Sequence, residues 1–89
     1  MKEVVTTVIN PNGIHARPAS IFVNKAKEFQ SNITVENIAT GKAKNAKAIL
    51  GVMTLALVKG TEIRITAEGP DEDAAIAAMA ELVDSGCGE

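Results

Sequence analysis

His15 and Arg17 are the side chains in this sequence best suited to chemistry, and Pro18 follows them in the run GIHARPAS, residues 13–20. His15 is the only histidine in the chain. Its neutral imidazole keeps one ring nitrogen unprotonated and can act as a nucleophile near neutral pH. Arg17 adds a permanent charge and a fork of donors matched to phosphoryl oxygens. Pro18 is tolerated in the first turn of a helix, where its missing N–H has no intrahelical partner to lose. The run therefore predicts that His15 sits at or just before a helix N-terminus, with the backbone N–H groups of Ala16 and Arg17 lacking helical acceptors. Such an end attracts anions by about 0.3–1 kcal/mol, and by up to about 2 kcal/mol when partly buried. The same dipole disfavours the imidazolium and keeps the nucleophilic nitrogen free. Nucleophile and anion cradle then coincide, which suits phosphoryl transfer, a reaction that rests mainly on positioning and electrostatics.

By pattern alone a second reading stays open, in which His15 is simply a polar residue at the end of a loop. No second catalytic group stands close by in sequence, which argues against a stand-alone hydrolase or acid–base enzyme. Asn12 can hydrogen-bond the imidazole or cap the helix, and capping is the commoner role for an asparagine ahead of a helix. Ser20, inside the helix, reads as a packing or solvent residue.

The elements that must position these residues are legible as periodicities. VVTTVI (residues 4–9) is β-branched throughout and predicts a strand, ended by the turn formers Asn10, Pro11, Asn12 and Gly13. Ala19, Phe22, Val23, Ala26 and Phe29 recur at helical spacing from about Ala16. Ile33 and Val35 alternate in a strand, Gly41 suits a turn, and a short strand through Ala43 to Asn45 pairs back. Ile49, Val52, Met53 and Ala56 suggest a short helix weakened by Gly51. Ile63, Ile65 and Ala67 alternate in a strand. Pro70, Asp71, Glu72 and Asp73 then open a last helix whose stripe is Ala75, Ile76, Met79, Leu82 and Val83. The order strand, helix, strand, strand, helix, strand, helix predicts an α+β fold, a four-stranded antiparallel sheet with helices over one face and the other open to water.

Composition narrows the function. A chain of 89 residues makes one domain that buries only about 60–65% of its unfolded surface, with an expected radius of gyration of about 12 Å, so a site must lie at the surface. Nine basic and eleven acidic residues give a net charge of -2, and Phe22 and Phe29 are the only aromatic residues. Nucleic-acid binding is disfavoured, since it calls for a strongly basic face and, for single strands, stacking rings. The cluster from Lys42 to Lys47 is either a positive face for an acidic protein or a solvated strand and turn. Cys87 stands alone, so no internal disulfide and no metal-ligand spacing exists, and it reads as an incidental thiol on a frayed tail. No cofactor is implied. A reducing cytoplasm is expected, since MKEVVTTVIN is too short in its apolar run for a signal peptide and no stretch could span a membrane.

NGIHARPAS, followed by KNAKAILGVMTLALVKGTEIRITAEGPDEDAAIAAMAELV, resembles the HPr family, the histidine-containing phosphocarriers of the bacterial phosphoenolpyruvate-dependent sugar phosphotransferase system. The resemblance covers essentially the whole chain, as a single domain over residues 1–89. It implies an open-faced β-sandwich of order βαββαβα with three helices on one face. It also implies that enzyme I places a phosphoryl group from phosphoenolpyruvate on Nδ1 of His15, for delivery to the IIA component of a sugar permease. Arg17 would steady the phosphoryl group, with Ala16 and Asn12 beside it. Docking would use Ala16, Arg17, Ser20, Lys47, Ile49, Leu50 and Met53, and a monomer is expected because that face must stay accessible. A nitrogen-type regulatory paralogue is the nearer alternative destination, and a non-catalytic anion-binding module the more distant one. Two departures stand out. Ala48 occupies the position where many members carry a serine phosphorylated by a regulatory kinase, so that regulation cannot act there. The turn in ENIATGK is longer than in common members, which predicts a change in a loop away from His15.

Overall fold

The β-branched run forms β1 (Lys2–Thr7), although it starts two residues earlier than its apolar content suggests. Lys2 and Glu3 pair with Ala67 and Thr66 of β4 (Glu62–Glu68), so backbone pairing extends the strand past its hydrophobic residues. The computed structural model describes residues 1–14 and 16–87. The remaining elements are α1 (Ala16–Ala26), β2 (Asn32–Asn37), β3 (Lys42–Asn45), α2 (Ile49–Met53) and α3 (Glu72–Asp84).

The sheet runs β1-β4-β2-β3 and every neighbouring pair is antiparallel. Ile65 of β4 faces Val4 on one side and Val35 on the other. These belong to the covered face, where Ile33, Val35, Ile63, Ile65 and Ala67 are buried beneath Phe22, Val23, Ala26, Val52, Ala75, Met79 and Val83 of the helices. On the open face the register sets Arg64 opposite Glu36 and Val5. The Arg64 guanidinium reaches Glu36 at 2.7 Å and Glu3 at 3.6 Å, a solvent-facing ion network. The radius of gyration is 11.3 Å. Among the described residues no helix is long and apolar enough to cross a membrane.

Several elements differ from the sequence reading for identifiable reasons. α1 ends at Ala26, and Phe29 lies half-buried in the turn after it. α2 stops at Met53, and Ala56, expected on its apolar stripe, is exposed with φ 54. That left-handed residue turns the chain so that Leu55 and Leu57 point inward instead. Thr6 is buried and its hydroxyl donates to Asp84 Oδ1, tying β1 to the end of α3.

Asp71 does not cap α3 with its side chain. Its carboxylate accepts the backbone N–H groups of Gln30 and Ser31, each at 2.9 Å, and the Ser31 hydroxyl, which locks the entry to β2 onto the start of α3. The Ser31 hydroxyl, followed by the Gln30 N–H, holds the Asp71 carboxyl below its ordinary range. Cys87 is not on a frayed tail. Gly86 (φ 83) donates to Val83 O at 3.0 Å and Cys87 to Leu82 O at 2.8 Å, a Schellman closure of α3 that buries Cys87 completely.

Candidate functional site

The loop that leads from β1 to α1 is held at both ends by backbone bonds to the segment before β4. Val8 donates to Thr61 O at 2.9 Å and accepts from Gly60 N–H at 2.8 Å, prolonging the β1–β4 pairing past Thr7. Asn10 then accepts the Gly13 N–H at 2.9 Å, closing a four-residue turn with Pro11 and Asn12 at its corner. Gly13 has φ 76, and a Cβ there would lie 2.5 Å from the Leu57 carbonyl oxygen. Glycine is thus required both by conformation and by space. Its lack of a side chain lets Ile14, itself buried, donate to Leu57 O at 2.7 Å. Leu57 is in turn positioned through Leu55, whose carbonyl receives the buried side-chain amide of Asn37 at 2.8 Å.

His15 lies outside the described residues. Immediately after it Ala16 begins α1 with φ 52, a left-handed conformation that costs an L-residue roughly 1–2 kcal/mol. Such outliers persist only where the surroundings impose them, and they cluster at functional positions. Pro18 and Ala19 are buried and anchor the helix start from beneath, while Ala16 and Arg17 face solvent. Arg17 has no acidic ion-pair partner among the described residues. Asn12 is exposed at the turn corner with no side-chain hydrogen bond among the described residues. Since α1 begins at Ala16, Asn12 stands too far ahead to cap it.

The residues expected to dock a partner divide into two groups. Ser20 is exposed on α1, and on the neighbouring α2 Leu50 is 77% and Met53 43% exposed. Ile49 is half-buried against the core and Val52 fills it, so α2 turns one apolar flank inward and presents another to water. Lys47 is committed elsewhere, because its Nζ donates to Phe29 O at 2.7 Å and ties the chain after α1 to the start of α2. Ala48, at the N-cap of α2, has the extended backbone of a cap (φ -112, ψ 108) but no side-chain hydrogen bond.

The buried asparagines Asn10 and Asn37 escaped the sequence reading. Both fall on the inward side of a period-2 alternation, Asn10 after Thr6 and Val8 and Asn37 after Ile33 and Val35. A polar residue continuing a core-facing row into a turn is the signal that marks them.

Comparison with known proteins agrees with this architecture. A family profile described as "PTS HPr component phosphorylation site" matches residues 2–85, which makes the chain a phosphocarrier of the phosphotransferase system. It is 52% identical over 83 residues to the phosphocarrier protein HPr of Lysinibacillus sphaericus, covering 93% of this chain and 92% of that protein. It superposes on the crystal structure of HPr-C-His from Thermoanaerobacter tengcongensis with a TM-score of 0.94 and 45% identity, covering 100% of this chain and 98% of the other. The chain therefore belongs to the HPr family. It is also 41% identical over 83 residues to the multiphosphoryl transfer protein of Salmonella typhi, 92% of this chain but only 22% of that protein's length.

Proposed function

We propose that His15 is the phosphoryl acceptor and that Arg17 steadies the transferred group, with enzyme I as donor and the IIA components of sugar permeases as recipients. The observation that carries this reading is that the only histidine in 89 residues falls inside the segment matched by a profile whose description is a phosphorylation site. In the transfer, the lone pair of a neutral ring nitrogen of His15 forms the new N–P bond as the bond from phosphorus to its donor breaks, and the donor atom leaves with that electron pair. The donors at the head of α1 and the Arg17 guanidinium meet the charge on the phosphoryl oxygens. Asn12 stands at the mouth of the same loop. Ala16, Ser20, Ile49, Leu50 and Met53 supply a docking face, and Lys47 supports it by holding the start of α2.

A small apolar face with Leu50 and Met53 exposed suits a transient complex that releases its partner after transfer. A monomer leaves it free for donor and recipient in turn. The cytoplasm is the compartment in which phosphoenolpyruvate and enzyme I would meet it. The test is intact-mass spectrometry after incubation with phosphoenolpyruvate and catalytic enzyme I. One acid-labile phosphoryl group on the native chain and none on His15→Ala is the expected result. An adduct that survives in His15→Ala would overturn the assignment.

A further inference from the structure

We infer that Asn10 is a positioning residue for phosphoryl acceptance, bracing the loop that leads into His15 against the C-terminal segment; this rests on the reading of His15 given above. Asn10 is 1% exposed, and its Nδ2 donates to Gly86 O at 2.7 Å across 76 positions of sequence. The acceptor is itself fixed, because Gly86 and Cys87 close α3 through their bonds to Val83 and Leu82 and Cys87 is wholly buried. The main chain of Asn10 serves the loop as well, its carbonyl receiving the Gly13 N–H.

The loop is thus held on one side by Leu57, through Ile14, and on the other by Gly86, through Asn10. Removing the side-chain amide leaves the loop to its backbone bonds with Leu57, Gly60 and Thr61, all on the β4 side, and strips a buried carbonyl of this donor. A polar side chain at a core-facing position is tolerated only when it is satisfied, and here its partner lies in the segment that packs behind the loop. In-line transfer is sensitive to placement, and an error of 1 Å costs up to about 10²-fold. The docking face is formed by other residues, so the brace affects the chemical step and not partner affinity.

The experiment compares the native chain, Asn10→Ala and Ser31→Ala in rapid-quench phosphorylation by phosphorylated enzyme I. Ser31→Ala removes the hydroxyl bond from the tie to Asp71 at the opposite end of the sheet and controls for general loss of stability. Asn10→Ala is expected to lower kcat by about tenfold or more while KM for the donor stays within about twofold. Its single imidazole should also show shifted ring resonances by NMR, and Ser31→Ala should retain both the native kcat and the native resonances. Native kcat and resonances in Asn10→Ala, or an equal loss of kcat in Ser31→Ala, would overturn the inference. Should Asn10→Ala fail to fold, Asn10→Ser carries the same comparison. If the native chain accepts no phosphoryl group, the functional reading fails separately. The brace is then decided by amide exchange at Gly13 and Ile14, which must quicken in Asn10→Ala if it exists and stays unchanged if it does not.

Discussion

Replacing Gly13 by alanine should damage this protein far more than the same change at Gly41, although the two glycines have almost the same backbone conformation, φ 76 and φ 75. At Gly41 an added Cβ meets nothing within 4 Å. Only the left-handed conformation is penalised there, by roughly 1–2 kcal/mol, less the 0.4–1 kcal/mol recovered because alanine restricts the unfolded chain. The net loss at Gly41 is about 1 kcal/mol. At Gly13 the new Cβ would stand 2.5 Å from the Leu57 carbonyl oxygen, which is backbone and cannot rotate aside. The loop must separate from Leu57, which breaks the Ile14 bond and leaves a buried donor and acceptor unpaired, at about 1–3 kcal/mol each. The total for Gly13→Ala is then about 3–7 kcal/mol.

A domain of this size shifts its melting temperature by about 4–8 °C per kcal/mol. Thermal melts should therefore fall by less than about 8 °C for Gly41→Ala and by at least about 12 °C for Gly13→Ala. Urea titration supplies the free energies and phosphorylation by enzyme I the functional readout. If the two variants lie within about 1 kcal/mol of each other, the loop is not clamped on Leu57, and the account of the site built on that contact is wrong.

Other perturbations separate the remaining parts of the structure. Ala48→Ser places an oxygen at an N-cap that already has the right backbone conformation, and should stabilise the fold by about 1 kcal/mol in urea titration. Leu50→Ala removes an exposed side chain, so it should raise the KM for enzyme I while leaving the melting temperature within a degree or two, an expectation checked by steady-state phosphorylation and calorimetry. Asp71 titrates below its ordinary value of 3.8 in the folded state because of the Ser31 hydroxyl and the Gln30 N–H. Its stabilising contribution is therefore complete above that value and is lost as pH falls through the lower folded value. Urea midpoints measured downward from about pH 6 should decline more steeply for the native chain than for Asp71→Asn.

Much of this arrangement was legible because its signals are local. The alternation of Ile63, Ile65 and Ala67 and the stripe of Ala75, Met79 and Val83 each place their own element, and the Arg17-Pro18 pair marks the head of α1. What escaped depends on contacts between distant positions or on single backbone angles. Nothing near Lys47 in sequence announces that its ammonium binds the Phe29 carbonyl, and a helical count through Ala56 cannot see that this alanine turns left-handed. Cys87 reads as tail until the closure of α3 buries it. Asn10 looks like one more turn former unless the row Thr6, Val8, Asn10 is followed inward.

The pairing of β1 with β4 also decides when the protein becomes competent during synthesis. The loop before His15 is held by Leu57, Gly60, Thr61 and Gly86, all of which emerge from the ribosome long after it. The β2–β3 hairpin and α2 make sequence-local contacts and can form early, whereas closing β1 onto β4 must first overcome the entropy of a loop of more than fifty residues. A nascent chain can therefore contain the whole GIHARPAS segment yet lack the surfaces that shape it. Capacity to accept a phosphoryl group should arise late and abruptly, with the final closure of the sheet.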